Sequence, residues 1–277
     1  MNAGLIRKNQ GSGHSYELDG RWIPGVTTVI GSVLDKPALV SWAARETAAY
    51  ADEHWARLSG MRSADRIVEL ERARYATNKK ATQKGHRIHA LAERIQSGET
   101  VDVPTEILAD VEGVARLLDS FEFETLATEA ATGSPTWGYA GTFDALLQSP
   151  KFGTCLVDFK SGKRIYDEVA IQLAPYRFAE ILATQVETVG PRGGKRREWR
   201  NEPMREVDHV FAIHVTPSGS TLYPVKAGPA VFGVFLGLLD TFNQWILRTS
   251  YDYRDRGHYD PPIGEAMFPE SEIPEGF

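Results

Sequence analysis

Along residues 15–26 polar and apolar positions alternate on both sides of Asp19-Gly20, a turn-favouring pair, which predicts a β-hairpin. A helical period then sets in over 37–51, where Pro37 suits a first turn and Trp42 lies on the apolar side. Helices are also predicted over 60–77, 79–97 and 105–124. The period next changes to two, which predicts strands at about 125–132, 138–147 and 154–160. Residues 168–183 return to a helical pattern, and the polar, glycine-bearing stretch 191–203 reads as an extended loop. A second hairpin is expected from 209–216 and 221–225 around Ser218-Gly219. A last helix is expected over 228–247, with Phe232, Phe235, Leu238, Leu239, Phe242 and Trp245 on it. The expected class is α/β (α+β): a mixed central sheet flanked by helices, with an N-terminal hairpin and helical decoration.

With 277 residues, 42% of them hydrophobic and 25% charged, the chain can bury one large core. A single domain over 1–277 is expected. Its parts are an N-terminal hairpin and helical region (1–80), a core (81–247) and an acidic tail (248–277). No apolar run reaches the roughly eighteen residues of a membrane helix, and the amino terminus lacks a charged-then-apolar signal pattern. A cytoplasmic protein is therefore expected, with no membrane association. Cys155 is the only cysteine. An iron–sulfur cluster takes about four thiolates, so none forms within one chain, nor does an internal disulfide or a cysteine-rich zinc site. Cys155 itself reads as a small buried packing residue.

The candidate chemistry lies on the predicted strands. Gly141-Thr-Phe-Asp144 is followed by Asp158-Phe-Lys160, and alternation puts Asp158 and Lys160 on one face. Gly141 allows close backbone approach beside Asp144, and the three groups are expected to meet at one sheet edge. Two carboxylates can hold a hard divalent cation, and an adjacent ammonium can handle an attacking water or developing charge. Read without that company, Asp-x-Lys is a solvated strand face with a weak ion pair. Upstream, residues 84–93 are helical in pattern, with Ile88, Leu91, Ala92 and Ile95 as an apolar stripe and His89 and Glu93 sharing a face. Downstream, Gln172 and Tyr176 are again four apart.

The order His89, Asp144, Asp158-x-Lys160, Gln172-x-x-x-Tyr176 resembles the RecB-like branch of the PD-(D/E)XK nuclease superfamily, in particular its phage-type recombination exonucleases without an iron–sulfur cluster. The resemblance covers roughly residues 81–226. The stretch 16–44, with Pro-Gly-Val-Thr-Thr at 24–28, also resembles the front of phage members. The chain departs from the commoner pattern in having Asp158 where glutamate is frequent, and in lacking the cysteine cluster of several relatives.

The resemblance implies a restriction-endonuclease-like core and a metal-dependent DNA exonuclease acting in phage or bacterial recombination, repair or replication. It implies one or two Mg²⁺ or Mn²⁺ ions on Asp144 and Asp158, with His89 and the Phe159 backbone carbonyl completing the shell. An imidazole ligand tilts such a site toward Mn²⁺. Lys160 would take a proton or stay charged and stabilise the transition state. Gln172 would position phosphate or water, and Tyr176 would bridge its helix to the site. His86 receives no role; Glu93 is either an acceptor orienting His89 or a surface charge. Glu129 is an outside candidate for a metal or water contact. Beside each role stands the reading of a packed core histidine or an ordinary helix face.

The net charge of −6 is unevenly spread. Residues 57–87 hold nine basic side chains against three acidic, among them Lys79, Lys80, Lys84 and Arg87. The expected loop carries Arg192, Lys195, Arg196, Arg197 and Arg200, with Trp199 placed to stack on an unpaired base. Flanking the candidate site, these two runs read as DNA-binding; each by itself reads as a solvated face. Residues 251–277 carry seven acidic and two basic side chains, a loosely packed terminus or a tail competing with DNA. DNA is the expected partner, with a single-strand annealing or other recombination protein as a further one, and oligomeric state is left open. The alternatives are an endonuclease, or a non-catalytic DNA-end-binding or scaffold protein on the same fold. Gly194-Lys195 lacks the glycines of a phosphate loop, and no zinc-protease helix or serine elbow is present, so motors and those hydrolases are disfavoured.

Overall fold

The computed structural model describes residues 4–10, 13–35, 37–73, 91, 94, 101–162, 164–189, 194–216 and 218–247. It is a mixed α/β protein. Strands β1 (Leu5–Gln10), β2 (Gly13–Leu18) and β3 (Arg21–Ile23) form a small antiparallel sheet. Asp19 and Gly20 both have positive φ at the β2–β3 turn, as the aspartate–glycine pair predicts. Helices α1 (Val26–Val33), α2 (Pro37–Glu53) and α3 (Trp55–Leu58) follow, then a helical stretch α4 over 63–73. After α5 (Thr105–Ser120) come β4 (Glu124–Ser134), β5 (Tyr139–Ser149), β6 (Gly153–Lys160), α6 (Glu168–Arg177), β7 (Ile181–Val189), β8 (Lys195–Pro203), β9 (His209–Thr216) and β10 (Gly219–Pro224). Helix α7 (Pro229–Thr241) runs into a π-helical turn, Phe242–Ile246.

The main sheet has seven strands in the order β10-β9-β6-β5-β4-β7-β8. It is mixed because β6 and β9 pair in parallel while the other neighbours are antiparallel. Each face is apolar and must be covered. One face packs Leu146, Leu156, Val210 and Ala212 against Val29 of α1, Leu173 of α6 and Phe235 and Leu239 of α7. The other packs Leu147, Cys155, Val157, Phe211 and Ile213 under Val111, Val114 and Leu118 of α5. A third cluster seats the small sheet: Leu5 and Tyr16 meet Ala131, Ala140, Ile181 and Ala183. Each fully buried Leu or Phe contributes about 1.5–3 kcal/mol of transfer free energy.

Four expectations are corrected. No helix is placed over 26–33 by the sequence reading, yet this stretch is α1; burial of Val26, Val29 and Ile30 outweighs the weak helical propensity of its β-branched residues. The helix expected over 168–183 ends at Arg177, two residues past Pro175, and Ile181 starts a strand. The expected loop 191–203 is β8 from Lys195 on, held along nine register positions by β7. Trp245 on the last helix is 52% exposed, unlike Phe235, Leu239 and Phe242. Most of the expected helix 79–97 lies outside the described residues; Leu91 and Arg94 are helical, and Leu91 packs on the α5-side cluster. The acidic tail also lies outside them.

Candidate active site

The sheet changes partners at the level of Asp144. Strand β5 pairs with β6 from Ser149↔Gly153 to Ala145↔Val157 and then parts from it. Continuing that register would set Asp144 opposite Asp158, so the two carboxylates occupy the first position of a fork. The fork is not at the sheet edge expected from the sequence but between two central strands. On its other side β4 pairs with β7 only over Gly133, Thr132 and Ala131. Glu129, on β4 between the partners of Ala145 and Phe143, has a positive φ of 46° and is passed over by both ladders. The alternation of β5 slips here as well. Phe143 belongs to the cluster under α6 and α7, while Ala145 belongs to the one under α5.

A forked ladder leaves backbone groups to be satisfied. The backbone N–H of Phe159 donates to Asp144 Oδ2 at 2.8 Å, so the carboxylate takes over where the ladder ends. Higher up, the N–H of Ala140 donates to the Pro24 carbonyl at 3.0 Å and Gly25 bridges to Ala140. The Pro-Gly-Val-Thr-Thr segment is thus wedged along the parted strand. Asp158 is 2% exposed and ion-pairs with Lys160 Nζ, as two residues on one strand face should. Phe159, between them, is half-buried.

Helix α6 closes the fork from one side. The Tyr139 hydroxyl donates to the Pro175 carbonyl at 2.8 Å, and the Tyr176 ring lies where a side chain at Gly141 would be. A Cβ there would collide with that ring. This is the close approach expected of Gly141, made by a tyrosine rather than by backbone. Tyr176 is 1% exposed. Burial pushes its hydroxyl well above the ordinary range, and the nearby Tyr16, Asp158 and Asp144 add to that, against a hydrogen bond with Gln172. Tyr176 is therefore a neutral O–H group at any working pH. Asp144, Asp158, Lys160, Gln172 and Tyr176 are brought together, although 144 and 176 are far apart in sequence. His89, His86 and Glu93 lie outside the described residues, as do Lys79, Lys80, Lys84, Arg87 and Arg192. Glu129 is exposed.

The first basic run is partly matched within itself, since Arg57 pairs with Glu69 and Arg62 with Asp65. Their Glu69 partner is held down to about 2, chiefly by the Arg57 hydrogen bond. The second run is an arm and not a loop. Beyond Ala183 strand β7 leaves β4, and residues 184–189 continue with 195–200 as a two-stranded ribbon. Lys195, Arg196, Arg197 and Arg200 are exposed on it. Its second strand also brings a carboxylate the loop reading lacked: Glu187 binds Lys195 at 3.0 Å and stands opposite Arg197. Arg196 and Arg200 stand opposite Thr188 and Thr184. Trp199 is half-buried against the cluster of Leu5, Ile181 and Ala183, so it is a packing residue and not a free stacking platform.

Two side chains of the small sheet reach the fork without having been foreseen. The Tyr16 hydroxyl hydrogen-bonds Thr142 Oγ1 at 2.9 Å, and Arg7 Nη1 donates to the Glu129 carbonyl at 3.1 Å and to Thr142 Oγ1 at 3.2 Å. The signal was present: Arg7 interrupts a strand face that otherwise carries Leu5. More than a hundred residues separate these partners, so no local pattern links them.

The donor set suits a hard cation, because it offers two carboxylates of which one is almost fully buried, and a carbonyl at Phe159. Among the described residues no group of three or more His, Cys, Asp or Glu is assembled, and His89 is not one of them. No helix among the described residues is long and apolar enough to cross a membrane. No protein-family model matches the chain, and no curated protein matches it.

Proposed function

We propose that this chain is a metal-dependent deoxyribonuclease, an exonuclease acting on DNA ends in recombination, repair or replication, on a restriction-endonuclease-like core. The observation that carries the reading is the fork: Asp144 and Asp158 are the next residues after the last pair of β5 and β6, with Lys160 on Asp158 and the Phe159 N–H on Asp144. A helix, three strands, a helix and a strand is the order the RecB-like resemblance implies; here β7 and β8 stand between α6 and β9, the strand that pairs in parallel with β6.

Asp144, Asp158, the Phe159 carbonyl and His89 would hold one or two Mg²⁺ or Mn²⁺ ions, which when bound supply Lewis-acid charge to a phosphoryl oxygen and ionise water near neutral pH. The remaining work belongs to the chain. Lys160 Nζ lies on the buried Asp158 carboxylate, which limits the cost of burying that group, and from there it either takes a proton from water or stands beside the charge developing on the phosphoryl group. The hydrogen bond from the Phe159 N–H holds Asp144 in one rotamer. Tyr176, kept neutral by burial, positions Gln172 against the fork.

The test is a time course on end-labelled linear and closed circular DNA, single- and double-stranded, with Mg²⁺, Mn²⁺ or EDTA, comparing wild type with Asp158→Ala. Loss of linear DNA alone, dependent on metal and abolished by the substitution, is the expected result. Cutting of circles would make it an endonuclease. Tight end binding without cleavage would make it a scaffold protein.

A further inference from the structure

We propose that Arg7 anchors a backbone phosphate of the bound nucleic-acid strand beside the linkage held at Asp144 and Asp158; this rests on the nuclease reading and adds a residue to it.

Strand β1 turns Leu5 and Arg7 to the same side, and Leu5 is 0% exposed in the core cluster that seats the small sheet. An arginine two residues from such a leucine enters apolar surroundings. Its guanidinium carries five N–H groups and a full charge. One nitrogen, Nη1, meets the Glu129 carbonyl and Thr142 Oγ1, two neutral acceptors that satisfy protons without supplying a negative charge. Nε is buried with no hydrogen-bond partner, and Arg7 forms no ion pair with a carboxylate among the described residues. A half-buried cation whose Nε has no partner is completed by an anion.

The place specifies the anion. Thr142 lies two residues before Asp144 on β5, and Glu129 lies on β4 between Thr128 and Ala130, whose partners Ala145 and Phe143 flank Asp144. At this level β7 has already left β4, so Arg7 takes up the carbonyl that a continuing ladder would have used. The guanidinium thus shares Thr142 with the Tyr16 hydroxyl, and Tyr16, Asp144 and Asp158 all lie near the Tyr176 hydroxyl. A planar, permanently charged fork suits a phosphate diester better than it suits any group now around it. A purely structural role, clamping β1 to β4 and β5, would need only the Nη1 bonds.

The experiment uses the full chain and an end-labelled oligonucleotide, with binding measured in EDTA at several salt concentrations and turnover measured with Mg²⁺ or Mn²⁺. For Arg7→Gln, with a melting transition confirming that it folds, we expect binding about tenfold weaker at low salt and a slope of log K against log salt shallower by about 0.7–0.9. Arg7→Lys should restore the slope but only part of the affinity, because an ammonium keeps the charge without the bidentate geometry. An unchanged slope and affinity in a folded Arg7→Gln protein overturns the proposal, and does so without touching the nuclease reading if wild type still cleaves. Wild type that binds no nucleic acid overturns both. Should Arg7→Gln fail to fold, wild type and Arg7→Lys are compared on strands carrying a single neutral methylphosphonate at successive linkages. Sensitivity concentrated at one linkage beside the cut, and blunted in Arg7→Lys, supports the anchor; a flat profile, or the same profile in both proteins, overturns it.

Discussion

Lys160 is the residue on which the chemistry is most exposed to test. It is about one-third exposed and its ammonium lies on the buried Asp158 carboxylate. Lys160→Ala should fold and bind DNA, yet lose cleavage by about 10²–10⁴-fold under single-turnover conditions, as removal of one transition-state charge does. Normal turnover in that variant would discard the site. Gly141 makes a structural counterpart. Gly141→Ala puts a methyl into the Tyr176 ring, an overpacking expected to cost about 1–3 kcal/mol in urea unfolding. Cys155 is buried, and desolvation, helped by Asp208, pushes its thiol up to about 11 from an ordinary value near 9. Because the folded state holds that proton more tightly, the contribution is complete below pH 9 and is lost as pH rises toward 11. Stability should fall across that window by an amount that Cys155→Ala removes, and iodoacetamide should label the native thiol slowly at pH 8. Fast labelling would mean that the start of β6 opens.

Among the elements, the β7–β8 arm departs furthest from its reading as a loop. Its charge was legible in the chain, but its pairing was not, because Glu187 and Lys195 come together only through the hairpin. With Lys195 bound to Glu187 and Arg197 facing it, Arg196 and Arg200 are the arm's two remaining arginines opposite threonines, and on the nuclease reading they are the pair that would meet DNA. Replacing both by Ala should weaken DNA binding and lower the salt slope by about 1.4–1.8, with little change in melting temperature. Trp199→Ala should do the reverse, costing about 1–3 kcal/mol of stability with an unchanged slope. Helix α1 teaches the complementary lesson. Its β-branched run has the local preference of a strand, and it becomes a helix because three of its residues are buried in the main cluster.

At the scale of the molecule, the small N-terminal sheet is part of the same structure as the main one. Leu5 is fully buried against Ile181 and Ala183, its N–H donates to Asn201 Oδ1 at 2.8 Å, and Tyr16 reaches Thr142. Leu5→Ala should therefore destabilise by about 2–5 kcal/mol, with tryptophan fluorescence and far-ultraviolet dichroism following one common transition. Two separate transitions would show that the sheets unfold independently. What the chain determined by itself was local: the Asp19-Gly20 turn, the strands bearing Asp144 and Asp158, the shared face of Asp158 and Lys160, the spacing of Gln172 and Tyr176, and the impossibility of a four-thiolate cluster. These follow from periodicity and composition, which act over a few residues. The tertiary structure decided where β5 and β6 part, that the carboxylates lie between central strands, that Tyr176 fills the space over Gly141, and that Arg7 and Tyr16 belong beside them. Those outcomes depend on which strands pair and how their faces are covered, and packing between residues more than a hundred positions apart leaves no periodic trace in a single sequence.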